Sequence, residues 1–117
     1  AALDGHELVQ VLDTSGGGRA RSSFYGLEAV LAQPLAARRE ELIGLLKERG
    51  LGVSIHYPRP VPLTTYYRET YGYREGEFPN AERISFESIT LPVGPHLSEA
   101  DAGRAVAILR EAVEELG

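Results

Sequence analysis

The sequence predicts an α+β domain of two layers, a small, mainly antiparallel sheet covered by helices, and three observations carry that reading. Two stretches, 35–49 and 98–116, place apolar residues at helical spacing with charge on the opposite side. Short β-prone runs precede, separate and follow the first of them. A chain of 117 residues with 43% hydrophobic and 25% charged content suits a single core.

Residues 8–12, Leu-Val-Gln-Val-Leu, form the first β-prone run, which the glycine triplet at 16–18 breaks. No strand-loop-helix frame with Gly-x-Gly-x-x-Gly or Gly-Lys-Ser spacing surrounds the triplet, so it reads as a flexible connection and not a phosphate cradle. Residues 1–21 are therefore expected to be an N-terminal segment or linker, and 22–117 the folded domain. Over 22–32 bulky residues occupy both faces, as in a central strand covered on both sides. Pro34 suits the first turn of a helix. Leu35, Leu42, Ile43 and Leu46 then recur at helical spacing, opposite Arg38, Arg39, Glu40, Glu41, Lys47 and Glu48.

Gly50 is the residue type that closes a helix in the left-handed conformation. Val53 and Ile55 alternate with Ser54 and His56, the period of a strand burying one face, and Pro58 and Pro60 stop any ladder beyond Tyr57. His56, Tyr57 and Arg59 are thereby left at a strand-to-loop junction, where rigid scaffolds tend to present functional side chains. Downstream, 62–71 reads as a short helical turn closed by Gly72, and 73–79 as loop. Asn80 is expected to cap a brief helix through Phe86. A short strand over 89–93 contains Pro92, which suits an edge. Ser98 followed by Asp101 signals the start of the last helix, with Ala102, Val106, Leu109, Val113 and Leu116 as its buried stripe.

Composition excludes several functions. A formal net charge of -5 lacks the positive field that nucleic-acid backbones require, so no nucleic-acid partner is expected. With no cysteine, disulfides, thiolate catalysis and sulfur-ligated zinc are excluded. No apolar run approaches the ~20 residues of a membrane span, and no signal pattern opens the chain, so no membrane contact and a cytoplasmic location are expected. The lack of any methionine points to a fragment or processed chain.

The candidate chemistry is sparse. His6, His56 and His96 lie far apart and share no metal-ligand spacing, so no metal site is expected. Arg59, between two prolines, could hold an anion through its planar fork or stand exposed on a stiff loop. Tyr57, Tyr66, Tyr67, Tyr71 and Tyr73 are expected to cluster around that loop, suited to sugar or nucleotide contacts, an interface or a partial core. Glu40-Glu41 and Glu114-Glu115 are neighbours on helices whose carboxylates point apart, and no Gly-x-Ser-x-Gly elbow exists. No self-sufficient catalytic set emerges.

Several blocks nevertheless resemble one family. Arg39-x-x-Leu42-x-x-Leu45-Leu46-Lys47-Glu48-Arg49-Gly50, then His56-Tyr57-Pro58-x-Pro60, Tyr67, Phe78-Pro79-x-Ala81-Glu82 and Leu91-Pro92-x-x-Pro95-x-Leu97-Ser98 look like the carboxy-terminal small domain of DegT/StrS-type sugar aminotransferases. The resemblance runs from about residue 22 to the end and implies a fold-type I enzyme dependent on pyridoxal phosphate. Such an enzyme moves an amino group from an amino acid to a keto-sugar carried on a nucleotide. It implies a large domain as partner, holding the coenzyme and its Schiff-base lysine, a homodimer, and a nucleotide-sugar substrate. His56 and Tyr57 carry over directly to the motif. Arg59 stands at a variable position of it and joins them as a substrate-binding candidate on its own chemistry.

Lys47, the chain's one lysine, falls in the block matching the small domain's first helix. No catalytic or cofactor-binding residue is therefore assigned, and the chain is not expected to bind pyridoxal phosphate or transaminate alone. Pro62 and Thr64 stand where many relatives carry a second histidine and a glutamine. That departure motivates an alternative, a free-standing binding or regulatory module that is not catalytic. A complete small enzyme built on His56 and Arg59 is a third reading.

Overall fold

The computed structural model describes residues 3, 6–12, 18, 19 and 21–117. Strands β1 (Val9–Val11), β2 (Leu27–Leu31) and β3 (Ser88–Leu91) form an antiparallel sheet in the order β1-β2-β3. Helices α1 (Arg39–Glu48), α2 (Thr65–Tyr71), α3 (Pro79–Glu87) and α4 (Glu99–Leu116) complete the fold, with 3-10 turns at Leu35–Arg38 and Val61–Leu63. Gly16 and Gly17 of the expected linker lie outside the described residues. β1, upstream of Ser22, pairs with β2 through Val9↔Leu31 and Val11↔Ala29.

The register sorts the side chains onto two faces. Val9, Val11, Leu27, Ala29, Leu31, Ile89 and Leu91 share one face, and all of them belong to or pack against the core. Leu35, Leu42, Ile43 and Leu46 from the first helical stretch and Leu109, Ala112 and Val113 from α4 close that core from the other layer. Gln10, Glu28, Val30, Ser88 and Thr90 face the opposite way. The second face is polar apart from Val30, and α3 lies against β2 and β3.

Several boundaries differ from expectation for identifiable reasons. The central strand starts at Leu27, five residues late, because Phe24 adopts φ 52 and takes the chain out of the extended path. Phe24 and Tyr25 are consequently left largely exposed. The strand expected around Val53 to His56 is a single bridge, Ser54↔Thr90. Its alternation holds, since Val53 and Ile55 pack on the core. On one side of the bridge this register sets Gly52 against Pro92, which has no donor, and on the other it sets His56 against Ser88, and no ladder forms there.

Asn80 lies inside α3 and does not cap it. Pro79 takes the first helical position after Phe78, and the Glu82 carboxylate accepts from Phe78 N at 3.1 Å and Gly76 N at 2.9 Å. At α4 the expected start is observed, with Ser98 Oγ accepting from Asp101 N at 3.2 Å and Asp101 Oδ2 accepting from Ser98 N at 2.9 Å. The Ser98 hydroxyl and backbone hold the Asp101 carboxyl below its usual range. Ala102 is exposed, and Ala112 takes a place in the buried stripe.

Candidate functional site: a polar sheet end beside an open groove

His56, Tyr57 and Arg59 meet at one place. All three line a shallow groove of about 320 Å³, with Pro60, Val61 and Pro62 on one side and Ala81, Ile84 and Ser85 of α3 on the other. The groove exists because the chain leaves its bridge to β3 at Ser54 and the two prolines stiffen its exit. Arg39 fixes the opposite wall, since its Nη1 donates to Ser85 O at 2.9 Å and Ser88 O at 3.3 Å, carbonyls at the end of α3.

Tyr25 joins this site and was not foreseen. Its ring centroid stands 6.4 Å from that of His56, and Tyr57 flanks His56 edge-on at 5.4 Å. A hydrogen bond with the Tyr25 hydroxyl, then repulsion between the two hydroxyls as they ionise, push the Tyr57 hydroxyl above its usual value. Ser54 Oγ lies 3.5 Å from His56 Nδ1. The only sequence signal was the aromatic pair Phe24-Tyr25 before Gly26, which periodicity absorbed into a strand. Arg59 is exposed and makes no ion pair among the described residues.

The remaining tyrosines do not gather around His56. Tyr66, Tyr67, Tyr71, Tyr73 and Phe78 instead form a ladder of their own, with successive centroids 5.2, 5.8, 5.6 and 4.9 Å apart. α2 buries none of its residues, and Tyr66 and Tyr71 are 65% and 58% exposed. Thr64, in place of the resemblance's glutamine, donates its hydroxyl to Val61 O at 2.8 Å. Among the described residues no three potential ligands converge on a metal, and no helix is long and apolar enough to cross a membrane. Lys47 is exposed on α1, one turn beyond the buried Ile43, at the solvent margin of the helix's buried side.

The fold is one found within sugar aminotransferases. It superimposes on DesV of S. venezuelae, a structure in complex with a ketimine intermediate, with TM-score 0.74 and 26% identity, over 97% of this chain and 28% of that one. The chain belongs to the DegT/DnrJ/EryC1/StrS aminotransferase family, whose model matches residues 2–110. It is 38% identical over 79 residues to the dTDP-3-amino-3,4,6-trideoxy-alpha-D-glucose transaminase of Streptomyces venezuelae, covering 68% of this chain and 21% of the relative. It is 36% identical over 81 residues to an uncharacterized protein of Methanocaldococcus jannaschii, covering 69% and 21%. This chain thus spans about a fifth of the length of these two relatives.

Proposed function

We propose that this chain acts as the small domain of a nucleotide-sugar aminotransferase, closing one side of a cleft whose other side is a large, coenzyme-bearing domain. His56, Tyr57 and Arg59 contact the substrate there. The observation that carries the reading is the position of the single lysine. Lys47 lies exposed on a charged helix, whereas a Schiff-base lysine needs a pocket that lowers its pKa. These residues do not fit pyridoxal phosphate as an anchored coenzyme, so the large domain supplies it, and the chain alone does not transaminate. Residues 22–117 are the body of this domain, and 1–21 are the segment that enters it and lends the edge strand β1.

The aromatic ladder of α2 supports a large partner surface. Exposed contiguous rings on a helix with no buried residue suit a covered interface better than free solvent. That face meets the large domain or the second copy of a homodimer, in the cytoplasm. Co-expression with the large domain of the Streptomyces venezuelae transaminase tests this. A stable complex that protects Tyr66 and Tyr71 from solvent is expected, and two proteins that elute separately with those rings still exposed would contradict it. The hydroxyl of Thr64, turned onto its own backbone, favours the second reading of a free-standing, non-catalytic module. That module would remain an indifferent monomer in the same experiment.

A further inference from the structure

A second hollow lies at the other end of the segment that carries His56. Its volume is about 240 Å³, and Leu51, Leu97, Ala105 and Ile108 give it an apolar floor. Leu51 is buried and the other three are half-buried. Gly52 adds no side chain to the wall, and a Cβ there would meet nothing within 4 Å. Ser54 and its bridge to Thr90 stand along the chain between Gly52 and His56, and this hollow shares no lining residue with the groove.

Two opposite charges of α4 line the same hollow. Asp101 and Arg104 are three residues apart and so lie on one side of the helix. Asp101 Oδ2 accepts from the Ser98 amide at 2.9 Å and the Ser98 hydroxyl at 2.7 Å, while Oδ1 accepts from no described residue. Those bonds, and the nearby positive charges of Arg104 and His96, favour the ionised carboxyl. Arg104 is exposed and makes no ion pair among the described residues. An apolar enclosure with an anion and a cation at its rim fits a molecule with an apolar body and both charges at one end. A cavity of ~150 Å³ lined by aliphatic and aromatic side chains already admits benzene, so a branched apolar side chain has room here. Both rim charges meet solvent, so they orient the ligand while the apolar floor supplies most of the affinity.

We propose that this hollow binds an α-amino acid with an apolar side chain, whose ammonium meets Asp101 Oδ1, whose carboxylate meets the Arg104 guanidinium and whose side chain enters between Leu51, Leu97 and Ile108. The ligand is held there without reaction, away from His56, Tyr57 and Arg59. The site needs nothing from the large domain, so it stands or falls independently of the function proposed above.

The test titrates L-leucine, isopentylamine, isocaproate, L-alanine and L-glutamate into the isotope-labelled 117-residue chain and follows its backbone amides. L-leucine is expected to shift the amides of Gly52, Ala102, Ala105 and Ile108 saturably, in the millimolar range. Isopentylamine lacks the carboxylate and isocaproate the ammonium, so each should bind about fivefold more weakly. L-alanine, without the branched chain, should bind at least about tenfold more weakly. Arg104→Gln should weaken L-leucine about fivefold and leave isopentylamine unchanged, a difference that a merely structural effect would not produce. Shifts confined to other surfaces, or no saturable shift at tens of millimolar, would overturn the assignment. So would isopentylamine, isocaproate or L-glutamate binding as tightly as L-leucine, or Arg104→Gln changing L-leucine and isopentylamine alike. Should that variant not fold, the ligand series on the unsubstituted chain decides alone.

Discussion

Replacing Arg39 with methionine probes how one side chain outside the groove holds the groove's shape. Methionine keeps the apolar stem and removes the donors, so the loss isolates the hydrogen bonds from packing. In the structure one Arg39 nitrogen donates to Ser85 O at 2.9 Å and to Ser88 O at 3.3 Å, where Ser85 is 7% and Ser88 0% exposed. A bond from a charged donor contributes about 1.5–3 kcal/mol net. The longer contact shares the same nitrogen and adds less, so we expect a loss of about 2–3 kcal/mol. Urea unfolding followed by circular dichroism should show a lower midpoint with an unchanged slope. Hydrogen exchange should quicken in α3 before α1, because the lost acceptor contacts sit at the end of α3. A loss below about 0.5 kcal/mol, the level of an ordinary surface substitution, would refute the assignment of Arg39 as the tie between the helical layer and the groove wall.

Three further outcomes follow from other parts of the fold. Leu46→Ala removes a fully buried side chain between sheet and helices and should cost about 2–5 kcal/mol, read from the same unfolding curves. Gly72, at φ 72, has nothing within 4 Å of an added Cβ, so Gly72→Ala should cost about 1–2 kcal/mol, from backbone conformation alone, by thermal unfolding. Tyr25→Phe removes the partner that raises the Tyr57 hydroxyl, so ultraviolet titration should find Tyr57 ionising at lower pH than in the parent chain. The folded-state value is raised, so this contact's contribution is complete below the unfolded value near 10.0 and is lost as pH rises through the folded value.

The core was legible because its signals are local and periodic. Leu35, Leu42, Ile43 and Leu46 recur at helical spacing and are all buried, and the Ser98-Asp101 cap stands where the pattern puts it. What failed depends on the path of the backbone. Nothing in the residue types of Ser22 to Gly26 announces that Phe24 will turn left-handed and swing Tyr25 onto His56. Whether Val53 to His56 becomes a strand depends on partners more than thirty residues away in sequence, of which Thr90 alone forms a bridge, with Ser54. Asn80 is a good cap by type, but Pro79 beside it fits the first helical position better and moves the start of α3. The tyrosines split into two groups because α2 carries its own ladder away from the groove.

The most direct measurement of the central claim is addition of pyridoxal phosphate to the purified 117-residue chain, followed by borohydride reduction and peptide mapping. Because Lys47 is an exposed amine on a charged helix, the account predicts no saturable imine band and at most scattered, substoichiometric labelling. A one-to-one reducible adduct at Lys47 would contradict it.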